Sequence, residues 1–333
     1  MQNNFLKDKN LLITGGTGSF GKALIKYLYN LKTRPKRIVI FSRDELKQFE
    51  MKKNCNSKKY SNLRFFLGDV RDKERLKLAL EGIDIVIHAA ALKIVPTAEY
   101  NPIEYIKTNI LGAQNIIEAC LDSKVKNVIA LSTDKASSPI NLYGATKLCS
   151  DKLFVSANNM KGKKKIKFSV VRYGNVFGSR GSIAPIFSKI KKNQTYLVTH
   201  KSMTRFSITL KKSVEMVLWS IKNMQGGEIF VPKIPSYNIL DLVKAFNKNA
   251  KIKNIGIRPG EKLHEEMISI SESINTVDLG IYYAILNEQC KLSAKYKNSK
   301  SVKKNFCYNS GENSEFLNVL NLKKIIQSEL TQD

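Results

Sequence analysis

The sequence predicts an α/β fold in which one parallel sheet carries helices on both faces and a smaller lobe follows it. The first half of the chain alternates short apolar runs with helical patterns, and such alternation is typical of parallel sheets. A glycine-rich turn at residues 14–21 separates the first apolar run from the first helical pattern. This regularity falls from about residue 176. Together these observations predict a Rossmann-type doubly wound parallel sheet with a smaller C-terminal substrate-binding lobe.

Six strands are predicted in the first half of the chain, with helices between them. The strands are expected at Asn10–Gly15, Arg37–Ser42, Leu63–Gly68, Asp84–Ala89, Asn127–Ser132 and Phe168–Tyr173. The helices are expected to begin near Phe20, Asp44, Asp72, Pro102 and Asn141. We expect residues 1–175 to form a nucleotide-binding domain and residues 176–333 to form the substrate-binding lobe, interleaved with the last strands of the sheet. Ligands of such sheets bind beyond the carboxyl ends of the strands, so the site is expected there.

Composition favours a folded enzyme over a nucleic-acid-binding or membrane protein. The 333 residues are 43% hydrophobic, enough for a full core, and contain no apolar run long enough to span a membrane. The net charge of +28 by itself is typical of nucleic-acid binding. However, only ten of the 56 basic residues are arginine, and the lysines are scattered. We therefore expect no nucleic-acid partner and no membrane span.

The cysteines indicate a reducing compartment. They are odd in number and form no CxxC pair, which predicts neither a zinc site nor a disulfide framework. They lie at Cys55, Cys120, Cys149, Cys290 and Cys307. We expect a cytoplasmic protein without a metal, and we expect Cys149 to pack as a small residue on a helix.

The glycine-rich turn predicts a dinucleotide site. Gly15, Gly18 and Gly21 have GxxGxxG spacing, directly after a strand and at the start of a helix. Glycine lets the backbone approach a pyrophosphate at the helix N-terminus. The context of strand, turn and helix makes the signal specific.

The residues after the second strand favour NADP over NAD. An acidic residue ending that strand usually holds a ribose diol, whereas Ser42-Arg43 suits a 2′-phosphate. Asp44 has a second interpretation as the N-cap of the next helix, and Arg43 has one as a surface charge.

The loops after the third and fourth strands complete the expected cofactor site. Asp69 is placed to accept a hydrogen bond from an adenine amine, and Val70 to cover the ring. Asp72 is expected to cap a helix. His88, at the end of the fourth strand, is expected to be a packed residue rather than a base. The small residues that follow, from Ala89, leave room for a flat cofactor.

Residues 132–147 carry the chemistry. Tyr143 and Lys147 are four positions apart and share one face of a helix. We expect the lysine, together with the charge of the cofactor, to lower the pKa of the tyrosine, which then takes a proton from a substrate hydroxyl while hydride leaves the same carbon. Thr133, Asp134 and Lys135 add a hydroxyl, a carboxyl and an amine at the end of the fifth strand. A plain dehydrogenase needs no such extra acid–base pair.

These motifs resemble the extended short-chain dehydrogenase/reductase superfamily, and within it the inverting UDP-N-acetylglucosamine 4,6-dehydratases that begin pseudaminic acid synthesis. The resemblance spans about residues 5–268. The matching segments are residues 42–45, 89–93, 139–144, 172–176, 203–206 and 258–265.

The resemblance implies the roles of further residues. NADP contacts are implied at Thr17, Gly18, Ser19, Phe20, Ser42, Arg43, Asp44, Glu45, Leu46, Lys47, Asp69, Val70, Ala89, Lys93, Thr108, Tyr143, Lys147 and Val176. UDP-sugar contacts are implied at Lys93, Asn175, Arg180, Met203, Arg205 and Arg258. Lys135 is implied to be the catalytic lysine. A homo-oligomer, a hexamer, and a role in flagellin glycosylation are also implied.

The implied lyase reaction uses the same groups. C4 of the sugar is oxidised, water is removed across C5 and C6, and C6 is reduced, giving UDP-2-acetamido-2,6-dideoxy-beta-L-arabino-hex-4-ulose. Tyr143 takes the C4 hydroxyl proton. Lys135, with its pKa lowered by nearby cations, takes the C5 proton, and a protonated Asp134 donates to the departing 6-hydroxyl. The residues leave these last two roles interchangeable.

Three alternatives remain open from the sequence. A UDP-sugar C4 or C5 epimerase needs the same tyrosine and cofactor, and a retaining 4,6-dehydratase differs only at C5. A non-enzymatic dinucleotide-sensing or nucleic-acid-binding module has only the positive charge in its favour. Arg172 and Arg71 are equally compatible with the site or with core pairing and helix capping, while Arg180 and Arg258, in Gly/Pro loops, favour phosphate contact.

Overall fold

The computed structural model describes residues 4–55, 58–191 and 194–330. Within these ranges the strands are β1 (Asn10–Thr14), β2 (Arg37–Ser42), β3 (Leu63–Leu67), β4 (Ile85–His88), β5 (Asn127–Thr133), β6 (Lys167–Tyr173), β7 (Asn175–Val176), β8 (Tyr196–Val198), β9 (Thr204–Ile208), β10 (Ile229–Pro232), β11 (Ser236–Asn238), β12 (Ile252–Asn254), β13 (Glu266–Ile268), β14 (Thr276–Asp278), β15 (Tyr282–Ile285), β16 (Lys300–Ser301) and β17 (Tyr308–Asn309). The helices are α1 (Ser19–Tyr29), α2 (Glu45–Asn54), α3 (Lys73–Ala79), α4 (Val95–Tyr100), α5 (Pro102–Tyr105), α6 (Gly112–Leu121), α7 (Leu142–Met160), α8 (Ile183–Ser188), α9 (Leu210–Asn223), α10 (Ile239–Phe246), α11 (Ile270–Ser273), α12 (Glu288–Lys291) and α13 (Val319–Leu330). A π-helical turn, Ile106–Leu111, joins α5 to α6, and a 3-10 turn, Asp134–Ala136, follows β5.

A ten-stranded sheet forms the centre of the molecule, in the order β16-β14-β15-β10-β6-β5-β4-β1-β2-β3. The seven strands from β10 to β3 are parallel to their neighbours, and β15, β14 and β16 add an antiparallel edge. The predicted doubly wound parallel sheet is confirmed, and each predicted strand lies within one residue of the observed bounds at either end. Buried aliphatic residues on both faces of these strands form the main core, as a parallel sheet requires.

Local signals in the sequence explain where the helices begin. The Asp44 and Asp72 side chains each accept a hydrogen bond of 2.9 Å from the backbone N–H three residues later, so both predicted N-caps are confirmed. Asn141 does the same for α7, accepting from the Gly144 N–H at 2.8 Å. This cap fixes the start of the helix that carries Tyr143 and Lys147.

The chain after residue 176 is divided between the sheet and a second core. It supplies β10, β14, β15 and β16 to the sheet. A separate apolar cluster forms around Phe177, Tyr196, Tyr237, Leu242 and Leu322. In this cluster α10 packs against α13. The second core lies beside the carboxyl ends of the parallel strands, where its loops reach the cavity described below.

The surface corrects one expectation from the sequence. Cys149 lies on α7, but its side chain is exposed instead of packed, because it faces away from the buried side of the helix that carries Tyr143, Lys147 and Ser150.

None of the helices in the described ranges combines the length and apolar character that crossing a membrane requires.

Candidate active site

A cavity of about 890 Å³ lies at the carboxyl ends of the parallel strands. Loops after β1 to β6 form one side, and segments of the second lobe form the other. Most of the predicted site residues line it together: Gly15, Thr17, Gly18, Ser19, Phe20, Ser42, Arg43, Asp44, Lys47, Asp69, Val70, Ala89, Lys93, Thr108, Thr133, Asp134, Lys135, Tyr143, Lys147, Asn175, Val176, Arg180, Arg205 and Arg258. The fold therefore brings positions from both halves of the chain into one site.

Four predicted residues do not line the cavity, and each has another role. Gly21 lies inside α1, where a Cβ would come within 2.1 Å of the Gly16 carbonyl oxygen, so this glycine permits close packing. Glu45 and Leu46 lie on the outer side of α2, and Leu46 is 66% exposed. Met203 is only 3% exposed and packs in the second core. Spacing predicted a ligand contact for Gly21, and the family resemblance implied one for the other three, whereas packing directs all four elsewhere.

The glycine-rich turn fits a dinucleotide. Gly15 has φ of 64°, and a Cβ there would lie 2.8 Å from the Ala90 Cα, so glycine is required on both grounds. Gly18 is the N-cap of α1 and offers no side-chain cap, which leaves the first N–H groups of this eleven-residue helix facing the cavity. Farther along the same wall, the buried Thr108 hydroxyl has no partner among the described residues. These donors suit a pyrophosphate and a ribose.

The far end of the cavity carries Arg43 beside Asp69. The two side chains approach to 3.9 Å, and half of the Arg43 side chain is exposed. Asp69 accepts two hydrogen bonds from the Arg71 guanidinium, at 2.8 and 3.0 Å. Burial raises the pKa of Asp69, but the Arg71 hydrogen bonds outweigh it and lower the pKa overall. Arg71 also pairs with Glu104 at 2.8 Å, so it braces this loop and does not cap a helix.

The reacting end is built on β5 and α7. Helix α7 buries Tyr143 and Lys147 on one face, as their spacing predicts. Strand β5 ends at Thr133, whose hydroxyl donates to Asp134 at 3.0 Å. The 3-10 turn then places Asp134 and Lys135 in the same wall of the cavity as Tyr143.

Four charged side chains meet beside Tyr143, and we call them the acid–base cluster: Asp134, Lys135, Arg205 and Glu265. The Lys135 ammonium lies 2.9 Å from Asp134 Oδ1 and 3.0 Å from Glu265 Oε1. Arg205 Nε lies 3.7 Å from the same Glu265 oxygen. The Asp134 and Glu265 side chains are 1% and 2% exposed. Their other oxygens, Oδ2 and Oε2, are buried without a partner from the described residues.

The pKa shifts in this cluster correct two expectations. Burial raises the pKa of Asp134, in the direction expected of a proton donor. Burial also raises the pKa of Tyr143 to about 12, so the expected lowering is wrong for the chain without ligand. Burial would lower the pKa of Lys135, but Asp134 and Glu265 outweigh it and raise the pKa, so that expected lowering is wrong as well. Both errors arise because the degree of burial and the charge partners depend on the fold.

Two further side chains are assigned to the core. Arg172 is fully buried and pairs with Asp151 at 3.3 Å and Glu272 at 2.9 Å, so core pairing is the correct interpretation. His88 is buried, with its Nδ1 2.9 Å from the Thr14 hydroxyl. Burial lowers the pKa of His88 to about 3, which keeps the ring neutral and confirms a packed residue instead of a base.

Glu265 is the functional residue that sequence reasoning missed. It ends the segment Arg258–Glu265, in which the sequence analysis selected only Arg258. The local sequence gives little indication of its role, because its partners Lys135 and Arg205 come from distant parts of the chain. The acidic residue at the end of a loop with other site motifs was the only available signal.

The chain matches the family model described as "Polysaccharide biosynthesis protein" over residues 11–287. It is 52% identical to a protein of Campylobacter jejuni strain 81-176 named UDP-N-acetylglucosamine 4,6-dehydratase (inverting). That alignment covers 96% of this chain and 97% of the relative. Both measures place the two proteins in one family over nearly their whole length.

Two more comparisons extend the picture. A Rickettsia bellii (strain RML369-C) protein named UDP-glucose 4-epimerase is 47% identical, over 84% of this chain and 83% of the relative. A solved structure, titled X-ray structure of Pen from Bacillus thuringiensis, superposes with a TM-score of 0.89 at 39% identity. It covers 98% of this chain and 99% of that one, so the second lobe is shared as well as the sheet.

Proposed function

We propose that this chain, which belongs to the polysaccharide biosynthesis protein family, is a UDP-N-acetylglucosamine 4,6-dehydratase that inverts C5. The relative of that name is 52% identical over nearly the full length of both proteins. One observation carries the proposal: Tyr143 and the acid–base cluster line the same cavity. Oxidation at C4 requires Tyr143, and loss of water across C5 and C6 requires the acid–base cluster. The enzyme is therefore a hydro-lyase.

The tyrosine and its lysine handle the proton at C4. When bound, a nicotinamide cofactor supplies a hydride acceptor and later a donor, and the glycine-rich turn and Thr108 are the residues that would hold it. Tyr143 takes the C4 hydroxyl proton. Burial raises the pKa of Tyr143 to about 12, although the Lys135 charge and a Thr133 hydrogen bond act to lower it. We propose that the charge of the cofactor and that of Lys147, one helical turn away, further stabilise the phenolate.

The acid–base cluster removes water. A 4-ketone acidifies the hydrogen on C5, and Lys135 takes it as the base. Burial raises the pKa of Asp134, the direction that suits a proton donor, and in this scheme Asp134 donates a proton to the departing 6-hydroxyl. Asp134 Oδ2 is buried and has no hydrogen-bond partner among the described residues, so we assign the transferable proton to this oxygen. Return of a proton to the opposite face of C5 inverts that carbon.

We further propose that the cofactor is NADP. Arg43 supports this, because its half-exposed guanidinium lies at the ribose end of the cavity, where a 2′-phosphate accepts paired N–H groups. Arg43→Ala should weaken NADP binding by about 10-fold or more while NAD binding changes little, since one hydrogen bond to a charged group contributes about 1.5–3 kcal/mol. Titration of both cofactors by calorimetry measures this. Equal losses for both would contradict the proposal.

Three other assignments are proposed from the resemblance of the motifs. The enzyme works in the cytoplasm, assembles as a homo-oligomer, and produces the first intermediate of pseudaminic acid synthesis, which other enzymes direct to flagellin or to capsule. Light scattering of the purified protein tests the oligomeric state. A hexamer would support the assembly, and a monomer at all concentrations would remove it.

The product of the purified enzyme tests the function. With UDP-N-acetylglucosamine, wild type should release a 4-keto product lighter than the substrate by one water, observed by mass spectrometry and by NMR of the sugar ring. Tyr143→Phe should give no 4-keto product. Lys135→Ala should retain reversible oxidation at C4 while dehydration stops. Normal turnover by both variants would remove the mechanism.

Two alternatives predict different products in the same experiment. A 4-epimerase, the name carried by the Rickettsia relative, would return a product of unchanged mass. Such an enzyme needs no acid–base pair next to C5 and C6, whereas Asp134 and Lys135 lie in this cavity. A retaining dehydratase would lose water but keep the configuration at C5, which the ring proton couplings and solvent deuterium at C5 reveal.

A further inference from the structure

We infer that Glu265 is a positioning residue for the base at C5: its carboxylate holds Lys135 and accepts a proton from it, which frees the amine to act. The inference rests on the proposed dehydration. Lys135 Nζ lies 3.0 Å from Glu265 Oε1, within direct proton-transfer distance. The contact is shielded from solvent, because the Glu265 side chain is 2% exposed.

The backbone around Glu265 is fixed by hydrogen bonds, so the carboxylate is held in position. Its N–H donates to the Ser310 hydroxyl at 2.9 Å, and its carbonyl oxygen accepts from the Ser310 N–H at 2.8 Å. Two residues earlier, the Leu263 carbonyl oxygen accepts from the Arg205 guanidinium at 3.1 Å. Arg205 therefore both braces this segment and places a positive charge near the Glu265 carboxylate.

The cluster needs such a proton acceptor. An ammonium has no lone pair, and Lys135 is held as an ammonium between two carboxyl groups. Asp134 is not the acceptor in this scheme, because the proposed dehydration uses it as the proton donor to the 6-hydroxyl. For Glu265, burial favours the neutral acid, but Lys135 and Arg205 outweigh it and lower the pKa. The ion pair with Lys135 thus favours the carboxylate form of Glu265, whereas burial of both groups favours the neutral pair that the proton transfer produces.

The proton balance closes without an added reactant. One N–H bond of Lys135 breaks as an O–H bond forms on Glu265, leaving a neutral amine beside a neutral acid. The amine lone pair then takes the C5 proton, and the C–H electrons enter the enolate of the 4-ketone. Asp134 supplies the proton that leaves with the 6-hydroxyl as water. Lys135 is then an ammonium again. The protons on Glu265 and Tyr143 are released to solvent, and solvent returns one proton to Asp134 and one to the opposite face of C5.

Substitution of Glu265 by glutamine tests this role, because the amide keeps the size but accepts no proton. Glu265→Gln should lower kcat for dehydration at about pH 7 by about 100-fold or more, with KM nearly unchanged. The loss should shrink as pH rises, since hydroxide then deprotonates Lys135. Oxidation at C4, followed by the absorbance of reduced nicotinamide, should persist. Glu265→Asp, which keeps a carboxylate, should recover part of the rate at neutral pH.

A neighbouring carboxylate provides the control. Glu266 accepts hydrogen bonds from Ser137 and Ser138 and does not line the cavity, so Glu266→Gln should keep the pH profile of wild type. A wild-type rate and pH profile in Glu265→Gln would overturn the inference. If that variant does not fold, a folded Glu265→Asp with no more than background dehydration at every pH would overturn it. Absence of water loss in wild type would instead remove the proposed dehydratase itself.

Discussion

The cavity and the core each contain buried carboxyl groups around a cation, and the two sets differ in what their oxygens contact. In the core ion cluster, formed by Asp151, Arg172 and Glu272, Asp151 Oδ2 accepts from Ser132 and from Arg172, at 2.7 and 3.3 Å. Both Glu272 oxygens accept from Arg172, at 2.9 and 3.0 Å.

The acid–base cluster leaves hydrogen-bonding capacity unused. Asp134 Oδ2 and Glu265 Oε2 are buried without a partner from the described residues. An unsatisfied buried polar atom costs about 1–3 kcal/mol, so a stability argument alone does not explain these atoms. Both residues line the cavity, so we assign their unsatisfied oxygens to the proposed chemistry of the site. Similar residue types thus serve stability in one place and chemistry in the other.

The largest expected effect separates activity from stability at Asp134. Asp134→Asn removes the proton donor, so dehydration should fall by about 10²–10⁴-fold. The free energy of unfolding should change by less than about 1 kcal/mol, since the amide has the same shape and burial disfavours the ionised carboxylate that it replaces. Product formation and urea unfolding measure the two quantities.

A surface pair supplies the control for that variant. Asp278 pairs with Lys233 at 2.7 Å in the antiparallel part of the sheet and does not line the cavity. Asp278→Asn should retain wild-type dehydration. If Asp134→Asn lowered the free energy of unfolding by several kcal/mol, or if it kept wild-type dehydration, the assignment of the acid–base cluster to chemistry would fail.

The next effect is on stability alone and concerns Arg172. Arg172→Met leaves the buried Asp151 and the partly buried Glu272 without their cation, so the free energy of unfolding should fall by about 3–5 kcal/mol. The matched variant Lys233→Met breaks the half-exposed pair with Asp278 and should cost about 0–1 kcal/mol. Urea unfolding measures both. Equal small losses would contradict the structural role of the core ion cluster.

The sequence predicts the parallel sheet well because its signals are local. Apolar runs define the strands, and the caps Asp44 and Asp72 define helix starts through contacts three residues away. The antiparallel edge was not predicted in this way. Strands β14 and β16 are three and two residues long, and they are stable only through pairing with other strands.

The site was predictable in its residues and less so in its electrostatics. Spacing placed Tyr143 and Lys147 on one face, and motif order placed Asp134 and Lys135 beside them. The sequence did not predict that Glu265 joins the acid–base cluster or that Arg172 pairs in the core. Both contacts depend on partners that tertiary packing brings together. The directions of the Tyr143 and Lys135 pKa shifts failed for the same reason, since they follow burial and ion pairing.

The smallest effect is the pH dependence that Glu272 gives to stability. Burial raises the pKa of Glu272, but Arg172 outweighs it and lowers the pKa in the folded chain. The stabilisation from its ionised form is therefore fully present above the unfolded value of about 4.3 and is lost as pH falls through the lower folded value.

Glu272→Gln should lose about 1.5 kcal/mol at about pH 7. Its deficit relative to wild type should shrink as pH falls below about 4, because wild type then loses the same interaction. Urea unfolding of both proteins across this pH range measures the difference in unfolding free energy. As a control, Glu74→Gln breaks an exposed pair with Lys77 and should differ little from wild type at neutral or acidic pH. A gap for Glu272→Gln that stayed constant with pH would mean that the core ion cluster depends on the shape of Glu272 and not on its charge.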